Sequence, residues 1–558
     1  MQPIPLRAFG ACGVAIAAAT AAARAQELRL ASVLPDGTQV DESPVDVAIS
    51  GDGDVVAFAV GNGAFLPGPN GNGHVYLKVR STGAIEDPIV TTSGAVSSAS
   101  ATLGELSGDG RYLAFSSDAS DLIVGDTNGK RDLFVRDRVG AVTTRVSVSS
   151  ASVEGNDTSN FGRISSDGRY VAFSSDATNL VTGDGNGKLD VFLRDTQAQT
   201  TERVSIGIGG VDANGFSFAL DVSDDGRYVL FSSDASNLVA GDLNGADDLF
   251  LHDRTLATTE LITVSTAGVR SNGTFIIGAS MSADGSLVVF DSNATNLVVG
   301  DTNKKYDIFL RDRNAGTTTR ISLGSSAEAN GDSWDPTISA NGLAIAFESR
   351  AKNLSPLDPN GHADIYLHDV PTGTTTLVSL SCDGIVADLE CYRARLSADG
   401  LVVGFLGGAT NLDPADGNGF RDAFSSDFTN CPIASWSNYG SGWPGTNGVP
   451  TLSLSSDPEL GSDIDLVIGN SLGAPTLGVV LWGITPISAP TSLGGTLLVD
   501  PLGSFSLTVS QNGSTITESV PYDCTLAGFT LVVQVLEVDP GASKGVSFTK
   551  GLELIVGR

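Results

Sequence analysis

Residues 164–205 read ISSDGRYVAFSSDATNLVTGDGNGKLDVFLRDTQAQTTERVS, and this line recurs along most of the 558-residue chain. Its turn dipeptide returns at Asp52-Gly53, Asp109-Gly110, Asp167-Gly168, Asp225-Gly226, Asp284-Gly285, Asn341-Gly342 and Asp399-Gly400, at spacings of 57, 58, 58, 59, 57 and 58 residues. Six residues after each Asp or Asn stands a phenylalanine: Phe58, Phe115, Phe173, Phe231, Phe290, Phe347 and Phe405. A fixed period of this size marks a repeat architecture. The copies are numbered here as repeats one to seven, with a period of about 58 residues.

Each repeat predicts four short strands. An inner segment such as Arg163-Ile164-Ser165 leads into the Asp-Gly hairpin turn. RYVAF follows, a continuous apolar run bounded by turn signals, as expected of a strand covered on both faces. DVFLRD comes after a long loop, and TERVS after a polar turn. Four antiparallel strands repeated seven times suit an all-β, seven-bladed propeller, in which radial repetition covers the sheet faces. A parallel β-helix uses much shorter repeats. The seventh repeat ends at DAFSSD without a fourth strand, while residues 27–33, ELRLASV, have the pattern of one. This N-terminal strand is expected to complete the last blade and close the ring.

The ends of the chain read differently. Residues 1–25 have Arg7, an Ala-rich apolar run and Ala23-Arg24-Ala25, the pattern of a cleaved secretory signal peptide. The expected address is outside the cytoplasm, secreted or periplasmic, with no membrane span in the mature chain. Residues 26–430 form the propeller in this reading. Residues 431–558 hold several β-like runs without a repeat and predict a small C-terminal β-sandwich-like domain. Four cysteines remain after cleavage: Cys382, Cys391, Cys431 and Cys524. In an oxidising compartment they suggest two disulfides, for which proximity favours Cys382–Cys391 and Cys431–Cys524.

Charge narrows the partners. Lys and Arg total 32 against 64 Asp and Glu, a formal net charge of −32. Such a surface offers no cationic field for nucleic acid.

The units S-x-DGRYVAF-S-S-[DN]-A-[ST]-N-L-V, G-D-x-N-G, D-[VIL]-F-[VL]-R-D and T-T-x-R-[VI]-S resemble the TolB-type, WD-repeat-like β-propeller family of exported bacterial proteins. The resemblance covers roughly residues 27–430. It implies the fold, whereas one fold hosts many functions. Repeat one departs from the pattern, with Gly68, Asn70 and His74 where the others carry Asp, Asn and Asp.

The long loop between second and third strands supplies the candidate site. It carries Asp126, Asn128 and Asp132; Asp184, Asn186 and Asp190; Asp242, Asn244 and Asp248; Asp301, Asn303 and Asp307; Asp358, Asn360 and Asp364; and Asp416, Asn418 and Asp422. Several hard oxygens converging on one point suit Ca²⁺, which takes six to eight of them. Asx-turns that cap backbone N–H groups give the same pattern without a metal. No other cofactor is indicated. The fourth-to-first-strand loops should lie on the same face, with Asn156, Asn214, Asn272, Asn330 and Trp334, making it the default binding surface for a protein or glycan.

Catalytic signals are poor. Gly469-Asn470-Ser471-Leu472-Gly473 has the form of a nucleophile elbow, but a strand pattern follows where a helix is needed, and the last histidine is His368, upstream. A β-turn is the better reading. The four histidines, His74, His252, His362 and His368, form no metal-binding spacing, and His74 and His362 are expected on loop surfaces. The reading is a non-enzymatic binding or scaffolding protein. The alternative is an extracellular enzyme acting on glycans through carboxylates on the propeller face, whose catalytic residues should break the repeat in one or two blades.

Overall fold

Each repeat folds as one four-stranded antiparallel sheet. In repeat three the strands are Ser159–Ile164, Tyr170–Ser175, Asp190–Asp195 and Thr200–Arg203, paired in that order. The computed structural model describes residues 27–555 apart from 35–37, 40–42, 63–71, 98, 243–244, 275, 277, 325–326, 382–383, 429–434, 458–462, 494 and 520–529. The signal sequence and Cys382, Cys431 and Cys524 thus lie outside the described residues, which contain strands and no helix. It follows that no helix among them is long and apolar enough to cross a membrane.

The phenylalanines explain why the repeat folds this way. Each sits on the second strand and is fully buried. Phe173 stacks on Phe192 of the third strand at 5.7 Å between ring centroids, and Phe231–Phe250, Phe290–Phe309 and Phe347–Tyr366 keep that distance. The turn glycines follow from two constraints. Gly168 has φ +74°, and a Cβ there would lie 2.2 Å from Tyr112 of the preceding repeat. Only glycine takes the left-handed turn and admits that close approach.

The seventh sheet is completed as the sequence leads one to expect. Glu27–Leu30 pairs with Asp422–Asp427, outside Val402–Gly407 and Cys391–Leu396. Ala31 N donates to Ala423 O at 2.7 Å, as Val146 N does to Leu133 O in repeat two at 2.9 Å.

A belt of hydrogen bonds closes the ring beside the Asp-Gly turns. Asp52 N donates to Gly108 O, Gly108 N to Ser166 O, and Ser166 N to Asp224 Oδ1. Asp224 N donates to Ala283 O, Ala283 N to Ala340 O, Asn341 N to Ala398 O, and Ala398 N to Gly51 O. Every repeat is therefore tied to the next and the last to the first. Sheets in such a β-propeller leave only short edges.

The chain divides into two compact units, the ring of Leu28–Ser381 with Ile385–Asp427, and a second that includes Phe428–Arg558. The second holds a six-stranded, a three-stranded and a two-stranded sheet. Its six- and three-stranded sheets share one core, with Leu452, Leu466 and Ile468 from one and Val480, Val533 and Leu552 from the other.

Two expectations are corrected. Cys391, expected to bridge to Cys382, is a free and fully buried thiol at the start of the inner strand of repeat seven. Burial raises its pKa, so it stays protonated and inert. His74 is no loop-surface residue. It lies within the strand Asn72–Val79, is 2 % exposed, and stacks on Tyr76.

Candidate functional site

The acidic loops are fastened from within. In repeat two, Asn128 Oδ1 accepts from Lys130 N, an Asx turn, and its Nδ2 donates to Asp132 Oδ2 at 3.1 Å and Gly155 O at 2.8 Å. Asp132 Oδ1 accepts from Ser147 Oγ at 2.6 Å, which knits third strand to the segment after the fourth. Asn186 and Asn303 repeat both amide contacts in repeats three and five. The Asn loops thus sew the second-to-third-strand loop onto the loop entering the next repeat, on one face as expected.

An arginine occupies the middle of three of these clusters. Arg145 Nη1 lies 3.4 Å from Asp126 and 3.1 Å from Asp132. Arg203 stands 3.1 Å from Asp184 and 3.4 Å from Asp190, and Arg320 3.3 Å from both Asp301 and Asp307. Burial, followed by the second carboxylate, still pushes Asp184 and Asp301 up to about 6. In repeat four Arg270 approaches Asp242 at 3.8 Å; Asn244 lies outside the described residues. In repeat six Asp358 accepts from the Tyr366 hydroxyl at 2.7 Å, and in repeat seven Asp416 accepts from Gln39 Nε2 at 3.2 Å. Among the described residues no group of three or more His, Cys, Asp or Glu side chains is gathered tightly enough to hold a metal.

A second cluster lies along the inner strands, where the repeat breaks. Four residues before each turn Asp or Asn stand Ala48, Glu105, Arg163, Asp221, Ser280, Thr337 and Arg395. Two positions earlier, Asp46, Asp335 and Arg393 join them. Six of these seven strands are bulged at this level, with register shifts at Pro44/Asp46, Leu103/Leu106, Asn160/Arg163, Ala219/Asp221, Trp334/Thr337 and Tyr392/Arg395. A bulge re-aims a side chain. Contacts run from one inner strand to another: Arg395 to Asp335 at 3.1 Å, Arg393 to Asp46 at 3.3 Å, Met281 N to Asp221 at 2.8 Å, and Ile164 N to Glu105 at 2.9 Å.

Crowding shapes their charges. Glu105, Asp221 and Arg395 are half-buried, and desolvation is the largest influence on each of these charges. Burial, then the Glu105 charge, pushes Asp221 up to about 7. Burial raises Glu105 as well, against the pull of Arg163. Glu348 reaches about 7 through burial and Asp335. Perturbed carboxyls beside arginines mark candidate functional sites.

Aromatic rings accompany this cluster on the same strands. Phe161 is 52 % exposed and meets Phe218 edge to face at 6.0 Å across two repeats. Its φ of +57° puts a bulky side chain in the left-handed region, as +44° and +58° do for Asp335 and Arg393. Such strain costs roughly 1–2 kcal/mol per residue. At Phe161 only half of the side chain is buried, against Phe218 among others, to offset it. Trp334 and Tyr392, one position before the strained Asp335 and Arg393, lie under the guanidinium groups of Arg350 and Arg421.

Sequence reasoning followed what repeats and so singled out Trp334 alone among these residues. The signal was the one inner-strand column that changes charge from repeat to repeat.

Ser471 does not stand exposed on a strand-to-helix turn, as a nucleophile elbow requires. It is 3 % exposed, and its Oγ lies 2.8 Å from Glu537, 3.3 Å from Asp539 and 2.8 Å from Ser547. Asp539 also accepts from Thr446 N and Oγ1. The serine anchors a buried polar network, and the strand Thr476–Gly483 follows it.

No family model matches the chain, and no curated protein matches it. Solved structures are similar at low identity. A TolB protein of Agrobacterium tumefaciens is 17 % identical, covers 60 % of this chain and 91 % of its own, and has a TM-score of 0.32. The Dos1 propeller is 12 % identical, with 73 % and 95 % covered and a TM-score of 0.36. KlAtg21 in complex with the coiled coil of AgAtg16 is 10 % identical, with 65 % and 91 % covered and a TM-score of 0.37. Likeness at this level carries no argument about family or function.

Proposed function

We propose that this chain is an exported, closed seven-bladed β-propeller of the TolB-like kind with a C-terminal β-sandwich-like domain, and that it binds its ligand without turning it over. The ligand, a glycan or a protein segment, docks at the long-loop face, over the inner-strand rings and charged cluster. The observation that carries this reading is Phe161, half-exposed beside Phe218 and held at a left-handed φ of +57°. Strain of this kind concentrates at binding and switch sites. Flat exposed rings beside carboxylates and arginines offer stacking and hydrogen bonds together. Calcium bound in the acidic loops stabilises the scaffold.

Arrays of glycans and peptides probed with the wild-type protein and with Phe161→Ala/Phe218→Ala test it. Loss of a hit by at least about tenfold, with the melting temperature kept, is the expected result. Hits unchanged by the double substitution would overturn the site. One observation favours a second reading, glycan hydrolysis. Asp221, held near 7 beside Glu105, has the poise of a proton donor. New reducing ends in a polysaccharide digest, lost in Asp221→Asn, would establish that reading in place of simple binding.

A further inference from the structure

The repeats provide an internal control on the acidic loops. Where the outer strand ends in Arg145, Arg203 or Arg320, the guanidinium spans the Asp pair, and the Oδ2 of Asp132, Asp190 or Asp307 has partners. Repeats six and seven carry Leu377 and Leu30 at that position, two residues before Ser379 and Ser32. The acid that joins the arginine, Glu154, Asp212 or Glu328, is lost with it, and Val386 and Gln39 stand there.

What remains, among the described residues, is a buried Asp pair with no arginine between its carboxylates. Asp364 Oδ1 accepts from Ser379 Oγ at 2.6 Å, the bond that Asp132 makes to Ser147. Its Oδ2 is thereby aimed where its counterparts in repeats two, three and five meet their arginine. That oxygen is fully buried without a partner, and so is Asp422 Oδ2 in repeat seven. The orphan oxygen thus appears in repeats six and seven, whereas repeat four, which carries Leu261 at the arginine position, brings a different cation to its Asp pair, Arg270 at 3.8 Å from Asp242. Neutral donors, Tyr366 and Gln39, serve only the other Asp of each pair. Leaving a buried carboxylate without a counter-charge is costly.

We propose that repeats six and seven each hold a hard, oxygen-seeking cation of the Ca²⁺ type, between Asp358 and Asp364 and between Asp416 and Asp422, where the guanidinium sits in repeats two, three and five. This rests on the calcium reading above and narrows it to two repeats. Backbone carbonyls and water complete the shell of such an ion. The arginine and the metal are alternative solutions to one electrostatic problem.

Calorimetric titration of the chelated full chain with Ca²⁺ tests it. Two sites are expected in the wild type. Leu377→Arg and Leu30→Arg should each remove one, and the double variant both. Asp364→Asn, nearly isosteric, should also remove one and covers the case in which a new arginine fails to fold. A flat wild-type titration overturns this proposal and the calcium reading together. Five or six sites that survive Leu377→Arg/Leu30→Arg overturn this proposal alone and leave calcium in the loops. Ligand capture at Phe161 is independent of either result.

Discussion

The outer part of each repeat and its inner strand obey opposite rules. Around Phe173 and Phe192 the seven copies are nearly interchangeable, down to ring separations of 5.5–5.9 Å. Along the inner strands, Glu105, Arg163, Asp221 and Arg395 occupy one column with different charges. The outer part can repeat because each sheet meets the same neighbours. The inner strands converge on a shared axis, where identical charges would repel. Variation there is a physical necessity first, and it is also what gives a symmetric scaffold an asymmetric site.

The sharpest way to break this contrast is to open the ring. Deletion of residues 27–33 removes the outer strand of repeat seven and Ser32, whose hydroxyl donates to Asp422. It should lower the melting temperature by well over 10 °C, measured by calorimetry. A drop as small as that of one surface substitution would show that the ring does not depend on its clasp. Next comes the arginine clamp. Arg203→Met leaves Asp184 and Asp190 facing one another, and should cost about 3–5 kcal/mol in denaturant unfolding. If that loss is below 1 kcal/mol, the clamp is not what holds the acidic loop.

Acid should strengthen the molecule before it weakens it. Asp221, Glu348, Asp364 and Asp422 titrate near 7 in the fold. Their ordinary range is near 4. Between those values the folded chain holds more protons than the unfolded one, so stability falls as pH rises through that window. Asp137 and Asp195, held near 2 chiefly by Arg111 and Arg169, titrate below it. In chelator, the melting temperature should be a few degrees higher at pH 5.5 than at pH 8; the reverse order would refute the burial argument.

The smallest expected effect runs the other way. Phe161→Gly should raise stability by about 1 kcal/mol, since glycine takes φ +57° without strain. It should abolish ligand capture at the same time. A destabilised Phe161→Gly would mean that the ring belongs to the fold rather than to the site.

Much of this architecture was legible in the amino-acid order. The Asp-Gly turns, the spaced phenylalanines and ELRLASV predict the sheets and the pairing of the first strand with the last repeat, because turn geometry and core volume act locally. The candidate site was only half legible. The Asp-x-Asn loops stand out, but their arginine lies 13 residues beyond the strand-start Asp, at the end of the fourth strand, and only the fold shows that it reaches back. Arg145, Arg203, Leu261, Arg320 and Leu377 at one position were the available signal. Cys391 and His74 misled because burial of a short polar side chain depends on neighbours from other strands.

The clasp strand has a mechanical consequence. Ala31 and Ser32 bond to Ala423, so Leu28 runs alongside the far end of Asp422–Asp427. The two ends of the ring therefore emerge side by side. A load applied through them pulls the last two strands apart like a zipper, one hydrogen bond at a time, rather than sliding them past each other. The other six sheets feel no tension until that seam has parted. Single-molecule pulling from residues 28 and 427 should show a first rupture at low force that releases a single strand, followed by a stiffer core. A single high-force event would mean that the load is shared around the circle.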